Sequence, residues 1–191
     1  MSSGPKVGVL AVQGAFAEHC AALEKLGARA VELHALRDIE GIDALILPGG
    51  ESTTQGRLLR STGLFAPLKK RIEEGMPVWG TCAGMILLAS RIENDVARHF
   101  SVMDITVGRN GYGRQLSSFS ARGCFAGTEN IEMPFIRAPK IMAIGAGVEI
   151  LSEYGGFAVA VREKNMLASA FHPEITQELC VHEYFLSMIK P

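Results

Sequence analysis

The chain has 191 residues, of which 20% are charged and 48% hydrophobic, and its formal net charge is -1. This balance is typical of a globular protein with a sizeable core, so we expect the single domain 1–191 and no extended disorder. A net charge this small excludes a general attraction to nucleic acid or to an anionic membrane. The absence of a signal-peptide pattern and of a bilayer-length apolar run predicts a cytoplasmic protein.

The first half of the chain alternates between apolar strand patterns and helical patterns. Strands are predicted at 6–12, 29–34, 43–47 and 76–80, and helices at 15–26, 53–59, 64–74 and 83–90. Such alternation predicts an α/β fold in which a parallel sheet carries helices on both faces. Functional residues of these sheets lie at the carboxyl ends of the strands. This rule points to residues 13–14, 48–52 and 80–84.

The second half is less regular. Short strands are predicted at 104–107, 130–136, 141–151, 157–162 and 166–171, and an amphipathic closing helix at 176–189. We expect some of these strands to pair antiparallel. No linker divides the chain, which again favours one domain.

Gly80-Thr-Cys-Ala-Gly84 fits the pattern G-x-C-x-G between an apolar strand and an apolar helix. This is the setting of a nucleophile elbow, a sharp turn that exposes a reactive side chain at the start of a helix, where an anion is favoured. Cys82 is therefore the candidate nucleophile. Considered alone, the motif leaves a buried structural cysteine as the alternative. The remaining thiols are expected to be reduced and structural, namely Cys20, Cys124 and Cys180.

Phe171-His-Pro-Glu174 follows the last predicted strand. Residues two apart in an extended chain point to the same side, so His172 and Glu174 are expected to meet. A carboxylate beside an imidazole fixes its tautomer and stabilises the imidazolium, which makes His172 the candidate general base and Glu174 its orienter. The other histidines are expected to be structural, namely His19, His34, His99 and His182.

Pro48-Gly-Gly-Glu-Ser52 follows the third predicted strand. Its two glycines allow backbone amides to turn toward a ligand. The N–H groups of Gly50 and of Ala83 are the predicted oxyanion hole. A plain turn at the end of a strand is the alternative that this segment alone leaves open.

Five segments stand in the order found in one enzyme family. They are Pro48-Gly-Gly-Glu-Ser-Thr53, Gly80-Thr-Cys-Ala-Gly84, Arg109-Asn-Gly-Tyr-Gly-Arg-Gln115, Phe135-Ile-Arg-Ala-Pro139 and Phe171-His-Pro-Glu174. From Val7 to the last helix, the chain resembles the glutaminase subunit of the two-protein pyridoxal 5′-phosphate synthase, a class I glutamine amidotransferase. The two arginine-bearing segments single out this vitamin B6 branch, because the others occur broadly across class I amidotransferases.

The resemblance implies a flavodoxin-like fold of three layers with a mixed, mainly parallel central sheet. It implies hydrolysis of L-glutamine to L-glutamate and ammonia through a thioester. No cofactor is expected, and no metal either, because the histidines and cysteines lack the spacing of zinc ligands. The resemblance also implies delivery of the ammonia to a (β/α)₈-barrel synthase subunit within a large hetero-oligomer. The family positions for glutamine fall on Gly50, Glu51, Ser52, Arg109, Ile136 and Arg137. A carboxylate suits the α-ammonium of glutamine, and the arginine fork suits its α-carboxylate.

Gln13, at the end of the first predicted strand, is a candidate for the partner interface and for activation. Ala17 stands where many family members have an arginine, which leaves the partner contacts of this helix open. Two alternatives remain: another triad cysteine hydrolase or amidotransferase, and a non-catalytic flavodoxin-like subunit. The arginine-bearing segments argue against the first alternative, and the intact Cys-His-Glu set argues against the second.

Overall fold

The structure is a computed structural model that describes residues 4–109, 111 and 118–189. Its strands are β1 (Lys6–Leu10), β2 (Arg29–Leu33), β3 (Ala44–Leu47), β4 (Val78–Thr81), β5 (Ala89–Ile92), β6 (Met103–Gly108), β7 (Ser118–Phe125), β8 (Thr128–Ile136), β9 (Lys140–Ile144), β10 (Glu149–Tyr154), β11 (Phe157–Glu163) and β12 (Met166–Ser169). Its α-helices are α1 (Phe16–Lys25), α2 (Ser52–Ser61), α3 (Phe65–Glu73), α4 (Ala83–Leu88) and α5 (Cys180–Ser187).

The largest sheet has seven strands in the order β10-β11-β12-β4-β3-β1-β2. The five strands from β12 to β2 run parallel, and β10 and β11 add an antiparallel edge. The succession β2-β1-β3-β4 is the flavodoxin-like order. The predicted α/β class with a mixed, mainly parallel sheet is therefore confirmed.

Helices cover both faces of this sheet. The Trp79 ring of β4 packs against His19 of α1 and His182 of α5, whereas a Cβ on Gly80 would collide with the Gly84 backbone of α4. Neighbouring residues of a strand point to opposite faces. Consequently α1 and α5 lie on one face and α4 on the other, and the central strands β3, β4 and β12 are buried along their whole length, as a covered parallel sheet requires.

Two smaller sheets, β5-β6-β9 and β7-β8, are built from the middle of the chain. The antiparallel pairing expected in the second half is present in β6-β9, β7-β8 and β10-β11-β12. The single strand predicted at 141–151 is wrong, since β9 and β10 belong to different sheets. The chain turns between them where Gly145 N donates to Asp104 O at 2.8 Å, and β7 had no predicted counterpart.

Two predicted helices extend beyond the observed ones by two residues or more at one end. The helix expected at 83–90 ends at Leu88, because the carbonyl groups of Leu87 and Leu88 accept from Phe100 N and Val102 N, both at 3.0 Å. The helix expected at 176–189 begins only at Cys180, after a 3₁₀ turn at Pro173–Ile175. The Thr176 hydroxyl caps that turn by donating to Pro173 O at 2.9 Å.

The predicted site segments follow β1, β3, β4 and β12, at the carboxyl edge of the parallel strands. The strand order reverses beside β1, and such a reversal opens a crevice at this edge. None of the helices in the described ranges has the length and apolar character needed to cross a membrane.

Candidate active site

A cleft of ≈ 450 Å³ opens at the carboxyl edge of the parallel strands. Among its lining residues are Gln13, Gly50, Glu51, Ser52, Cys82, Ala83, Arg109, Ile136, Arg137 and His172. These are all the site residues predicted from the sequence except Glu174, which lies behind His172. A cavity of ≈ 610 Å³ at the amino ends of the strands holds none of them, so the cleft is the candidate active site.

Cys82 sits at the junction of β4 and α4 with a φ of 48° and a ψ of -102°. A positive φ is uncommon outside glycine and is typical of a tight functional turn. The turn is fixed by Cys82 N, which donates to Ser169 O of β12 at 2.8 Å. Glycine is needed at position 84 because a Cβ there would collide with the Leu47 carbonyl. The sequence thus forms the sharp elbow that the G-x-C-x-G pattern predicted.

His172 and Glu174 are paired, with 2.7 Å between His172 Nδ1 and Glu174 Oε1. The pairing was expected from an extended chain, but β12 ends at Ser169 and Glu174 lies in a 3₁₀ turn. The backbone of His172 is held by its own N–H, which donates to Pro134 O at 2.8 Å. Both residues are only 6% exposed, so the pair is formed and shielded in the free chain.

The surroundings of His172 favour its protonated form. Burial lowers its pKa, but the neighbouring Cys82 and Glu174 outweigh burial and raise the pKa to about 10. Burial raises the pKa of Glu174, whereas His19 and His172 lower it, and the net direction is downward. Nε2 of His172 is buried without a hydrogen-bond partner among the described residues. The imidazole can therefore hold a proton next to Cys82 at neutral pH.

The Pro48–Glu51 segment is fixed by two glutamines. Glu51 N donates to Gln13 Oε1 at 2.8 Å. The fully buried Gln55 side chain donates through Nε2 to Gln13 O at 2.9 Å and to Pro48 O at 3.1 Å. A Cβ on Gly49 would collide with the His172 ring. The loop that carries the predicted oxyanion donor is thus packed directly against the triad histidine.

Gln55 was not predicted to take part in the site. Its signal in the sequence is a polar residue on the face of α2 that also buries Leu59. Without the structure, a glutamine at that spacing cannot be distinguished from one at the edge of the buried face.

The predicted clamp residues have partners of their own. The Glu51 carboxylate caps α2 by accepting from Thr53 N at 2.9 Å and Thr54 N at 2.6 Å. Burial raises its pKa, but these bonds prevail and lower it to about 2. Arg109 donates to Thr53 Oγ1 at 3.1 Å and pairs with Asp95 Oδ2 at 3.2 Å. Residues 110 and 112–115 of its motif lie outside the described residues.

Ile136 and Arg137 also line the cleft. The Ile136 carbonyl oxygen is 3.9 Å from Cys82 Sγ, and Arg137 has a φ of 44°. Their side chains are exposed. The cleft lining therefore includes an apolar and a cationic side chain, and the Ile136 backbone lies next to the sulfur.

The other cysteines differ from Cys82 in their surroundings. Cys20, Cys124 and Cys180 are free thiols outside the cleft. Burial, with help from Glu32 and Glu24, raises the pKa of Cys20 to about 11. Burial and Glu178 also raise the pKa of Cys180. Electrophiles that need a thiolate should therefore react slowly with these two residues.

Comparison with known protein families found a family model that matches this chain. The model of the SNO glutamine amidotransferase family matches residues 9–191. The pyridoxal 5′-phosphate synthase subunit PdxT of Streptococcus pneumoniae (strain ATCC 700669 / Spain 23F-1) is 49% identical over 189 residues, which cover 97% of this chain and 98% of that protein.

Two solved structures superpose on the chain. The first is the crystal structure of a glutamine amidotransferase, with a TM-score of 0.92 at 44% identity, and the match covers 96% of this chain and 98% of that one. The second is PurLQS from Thermotoga maritima, with a TM-score of 0.73 at 16% identity and coverage of 98% and 100%. The second likeness is one of fold alone.

Proposed function

The chain belongs to the SNO glutamine amidotransferase family, which confirms the resemblance seen in its motifs, and we propose that Cys82, His172 and Glu174 carry out its glutaminase reaction. The reaction is hydrolysis of L-glutamine to L-glutamate and ammonia. The observation that carries the assignment is the 2.7 Å contact of His172 with Glu174 in the same cleft as the positive-φ elbow at Cys82.

In the first half of the reaction, the Cys82 sulfur attacks the side-chain amide carbon of glutamine. A C–S bond forms, the carbonyl electron pair moves to oxygen, and the thiol proton resides on His172. The tetrahedral intermediate then collapses, the C–N bond breaks, and the nitrogen takes the proton from His172 to leave as ammonia. The raised pKa of His172 favours the imidazolium that this proton transfer requires.

In the second half, His172 is neutral and acts as the general base. It takes a proton from water, and the oxygen adds to the thioester carbon. The C–S bond then breaks, and glutamate is released while the proton returns to the Cys82–His172 pair. Glu174 stabilises the imidazolium in both halves through its contact with Nδ1.

The oxyanion formed in each half would be held by the N–H groups of Gly50 and Ala83. Loss of one such donor typically costs about 10²–10³ in rate. Gln13 and Gln55 fix the loop that carries Gly50, so both act on the orientation of this donor. Gln13 is the candidate through which a docked partner would activate the enzyme.

Glutamine would be held through its charged α-carbon end. Glu51 suits the α-ammonium, because hydrogen bonds keep its pKa near 2 and its carboxylate ionised. Arg109 suits the α-carboxylate, although it is bonded to Thr53 and Asp95 in the free chain. Gly50, Ser52, Ile136 and Arg137 complete the walls of this subsite.

The partner proposed from the relatives is the synthase subunit of a pyridoxal 5′-phosphate synthase, a (β/α)₈ barrel that would receive the ammonia within a large cytoplasmic hetero-oligomer. Support comes from 49% identity over 97% of the chain to the PdxT protein of Streptococcus pneumoniae. Two exposed apolar side chains on the lining of the cleft, Ile136 at 39% and Ile175 at 46% exposure, offer a surface that a partner would cover.

The test is ammonia release from L-glutamine by the purified chain, with and without a synthase subunit, in wild type and Cys82→Ala. We expect release by wild type, stimulated by the synthase, and none by the variant. Release by Cys82→Ala would contradict the triad assignment. Equal release from unrelated amides would favour a general cysteine hydrolase, and no release under either condition would favour a non-catalytic subunit.

A further inference from the structure

Two histidines that the proposed mechanism does not use are buried directly behind Glu174. His19 of α1 and His182 of α5 are both fully buried, and their ring nitrogens His19 Nδ1 and His182 Nε2 are 3.0 Å apart. The other nitrogen of His19, Nε2, lies 3.7 Å from Glu174 Oε2 and 3.3 Å from Thr81 Oγ1. His19 is therefore the neighbour of the Glu174 oxygen that does not contact His172.

The carboxylate determines which nitrogen of His19 carries the proton. A bare lone pair on Nε2 would face the negative oxygen of Glu174, so the favourable tautomer has its proton on Nε2. Nδ1 is then the acceptor for an N–H donated by His182 Nε2. This arrangement leaves the acceptor Nδ1 of His182 without a hydrogen-bond partner among the described residues, which is milder than an orphaned donor. Glu174 Oε2 has no hydrogen bond among them either, because His19 Nε2 at 3.7 Å is beyond hydrogen-bond distance, so the N–H of His19 acts on this oxygen as a nearby dipole.

Both rings are kept neutral. Burial lowers the pKa of His19 against the opposing effect of Glu174, and burial together with His19 lowers that of His182 to about 3. The groups that act on His19 are Glu174 and His172 beyond β12, His182 of α5, and Glu18 of its own helix. A neutral N–H donor can orient a carboxylate without taking away its charge.

We infer that His19 is a positioning residue of the triad: its Nε2–H faces Glu174 Oε2 and so keeps that carboxylate ionised and its other oxygen on His172 Nδ1. The inference rests on the proposed glutaminase function of Cys82, His172 and Glu174. It replaces the expectation from the sequence that His19 is merely structural. His182 acts one step further away, by fixing the tautomer of His19.

The inference predicts a change in the pH profile. Burial raises the pKa of Glu174 and His172 opposes it, and the dipole of a neutral His19 Nε2–H that faces Oε2 favours the charged carboxylate in the same direction. When the pKa of a carboxyl group is lowered, the group loses its charge only as the pH falls well below the ordinary pKa of that residue type. Without the His19 N–H, the pKa of Glu174 rises, so the acid limb of kcat moves to higher pH, by about one unit.

The experiment compares His19→Gln with His19→Asn, assayed with the synthase subunit present. Both variants carry a neutral amide, but the longer glutamine places an N–H near the former Nε2, and asparagine places it near Nδ1. We expect His19→Asn to lower kcat about tenfold and to move the acid limb, with KM within about twofold because His19 is outside the cleft. His19→Gln should restore most of kcat and the wild-type acid limb.

Two further readouts separate positioning from folding and from the proposed function. The single tryptophan, Trp79, lies 5.1 Å from the His19 ring and 4.8 Å from the His182 ring between centroids. Its emission maximum should keep a buried value in both variants. The alkylation rate of Cys82 by iodoacetamide against pH tests the same triad without glutamine, and its acid limb should move in His19→Asn alone.

An unchanged acid limb in His19→Asn, in both kcat and alkylation, would overturn the inference. Equal loss of kcat in the two variants with no movement of either profile would also overturn it, since that is the signature of a structural role. If wild type released no ammonia while alkylation still showed the shift, the proposed function would fail and the positioning role would stand. Should His19→Asn not fold, His182→Phe tests the tautomer, and we expect a smaller shift in the same direction.

Discussion

The two sides of the cleft are held in different ways. On the nucleophile side, Cys82, His172 and Glu174 are each 6% exposed, and backbone bonds to Ser169 and Pro134 fix the first two. On the clamp side, Glu51 is exposed and caps α2, and Arg109 is bonded to Thr53 and Asp95.

This difference divides the residues proposed for the chemical step from those proposed to bind glutamine. In the proposed mechanism, the contact of His172 with Glu174 is kept during the reaction, and Cys82 Sγ gives up a long contact of 3.9 Å with the Ile136 carbonyl oxygen. Under the proposed roles, Glu51 and Arg109 would exchange protein contacts for glutamine contacts, which would make binding adjustable. Substitutions on the nucleophile side should therefore act on kcat, and substitutions on the clamp side on KM.

The largest expected effect is loss of the nucleophile or its base. Cys82→Ala and His172→Asn should each lower kcat for glutamine by about 10⁵-fold, because the covalent step and its proton transfers disappear together. The measurement is ammonia release with saturating synthase. Cys124→Ala removes a thiol outside the cleft and is the matched control, expected to keep wild-type kcat. A comparable loss of kcat in Cys124→Ala would contradict the distinction between the two sides of the cleft.

Glu174→Gln should cost less, about 10³-fold in kcat, since the amide keeps the shape of the side chain but not the charge that stabilises the imidazolium. KM should change little, because Glu174 lies behind His172. If Glu174→Gln proved more damaging than His172→Asn, the roles assigned to the two residues would be wrong.

The loop between the two sides should show an intermediate effect. Gln13→Ala removes the acceptor for Glu51 N–H, and Gln55→Leu removes both amide bonds to Gln13 O and Pro48 O. We expect each to lower the synthase-stimulated kcat by about 10²-fold, the size of one oxyanion donor. Gln13→Glu keeps an acceptor oxygen and should lose less. Stimulation that survives Gln13→Ala intact would remove Gln13 from activation.

The clamp side should show a change in binding. Arg109→Ala should raise KM for glutamine by about tenfold with kcat within a few-fold, and Arg109→Lys should fall between, because lysine keeps the charge but not the bidentate fork. Asp95→Asn weakens a competing partner of Arg109 and should lower KM or leave it unchanged. A higher KM in Asp95→Asn would mean that the ion pair positions Arg109 for substrate.

The smallest expected effect concerns alkaline pH. In the proposed mechanism, His172 holds the proton that the leaving ammonia takes, and its pKa is raised to about 10. Protonation is therefore complete at neutral pH and is lost only as the pH rises through about 10. The profile of kcat at saturating glutamine should stay flat between about pH 7 and 9, whereas a fall near pH 6.5–7 would show that the triad leaves His172 with an ordinary pKa.

Much of the nucleophile side was predictable from the sequence, because strand alternation and local motifs fix its geometry. Cys82 lies within G-x-C-x-G at a strand end, and His172 stands two residues from Glu174. Even there, an extended chain does not account for the pairing of His172 with Glu174, since Glu174 lies in a 3₁₀ turn.

The remaining contacts depend on tertiary packing that local patterns do not contain. Gln55 and His19 looked like ordinary residues of amphipathic helices, yet they lie 42 and 155 positions from their partners Gln13 and Glu174. The split of 141–151 into β9 and β10 follows in the same way from a backbone bond of Gly145 to Asp104. Such pairings are set by the assembled sheet.

The most direct test of the difference between the two sides is a labelling experiment on Cys82, read by mass spectrometry, in wild type and Arg109→Ala. Iodoacetamide needs only the triad, whereas an electrophilic analogue of glutamine, with its α-ammonium and α-carboxylate intact, also needs the clamp. We predict that in Arg109→Ala the labelling rate of Cys82 is unchanged with iodoacetamide and about tenfold lower with the analogue, and that the analogue labels Cys82 alone. Equal slowing with both reagents, no slowing with the analogue, or labelling of another cysteine by the analogue would contradict the account.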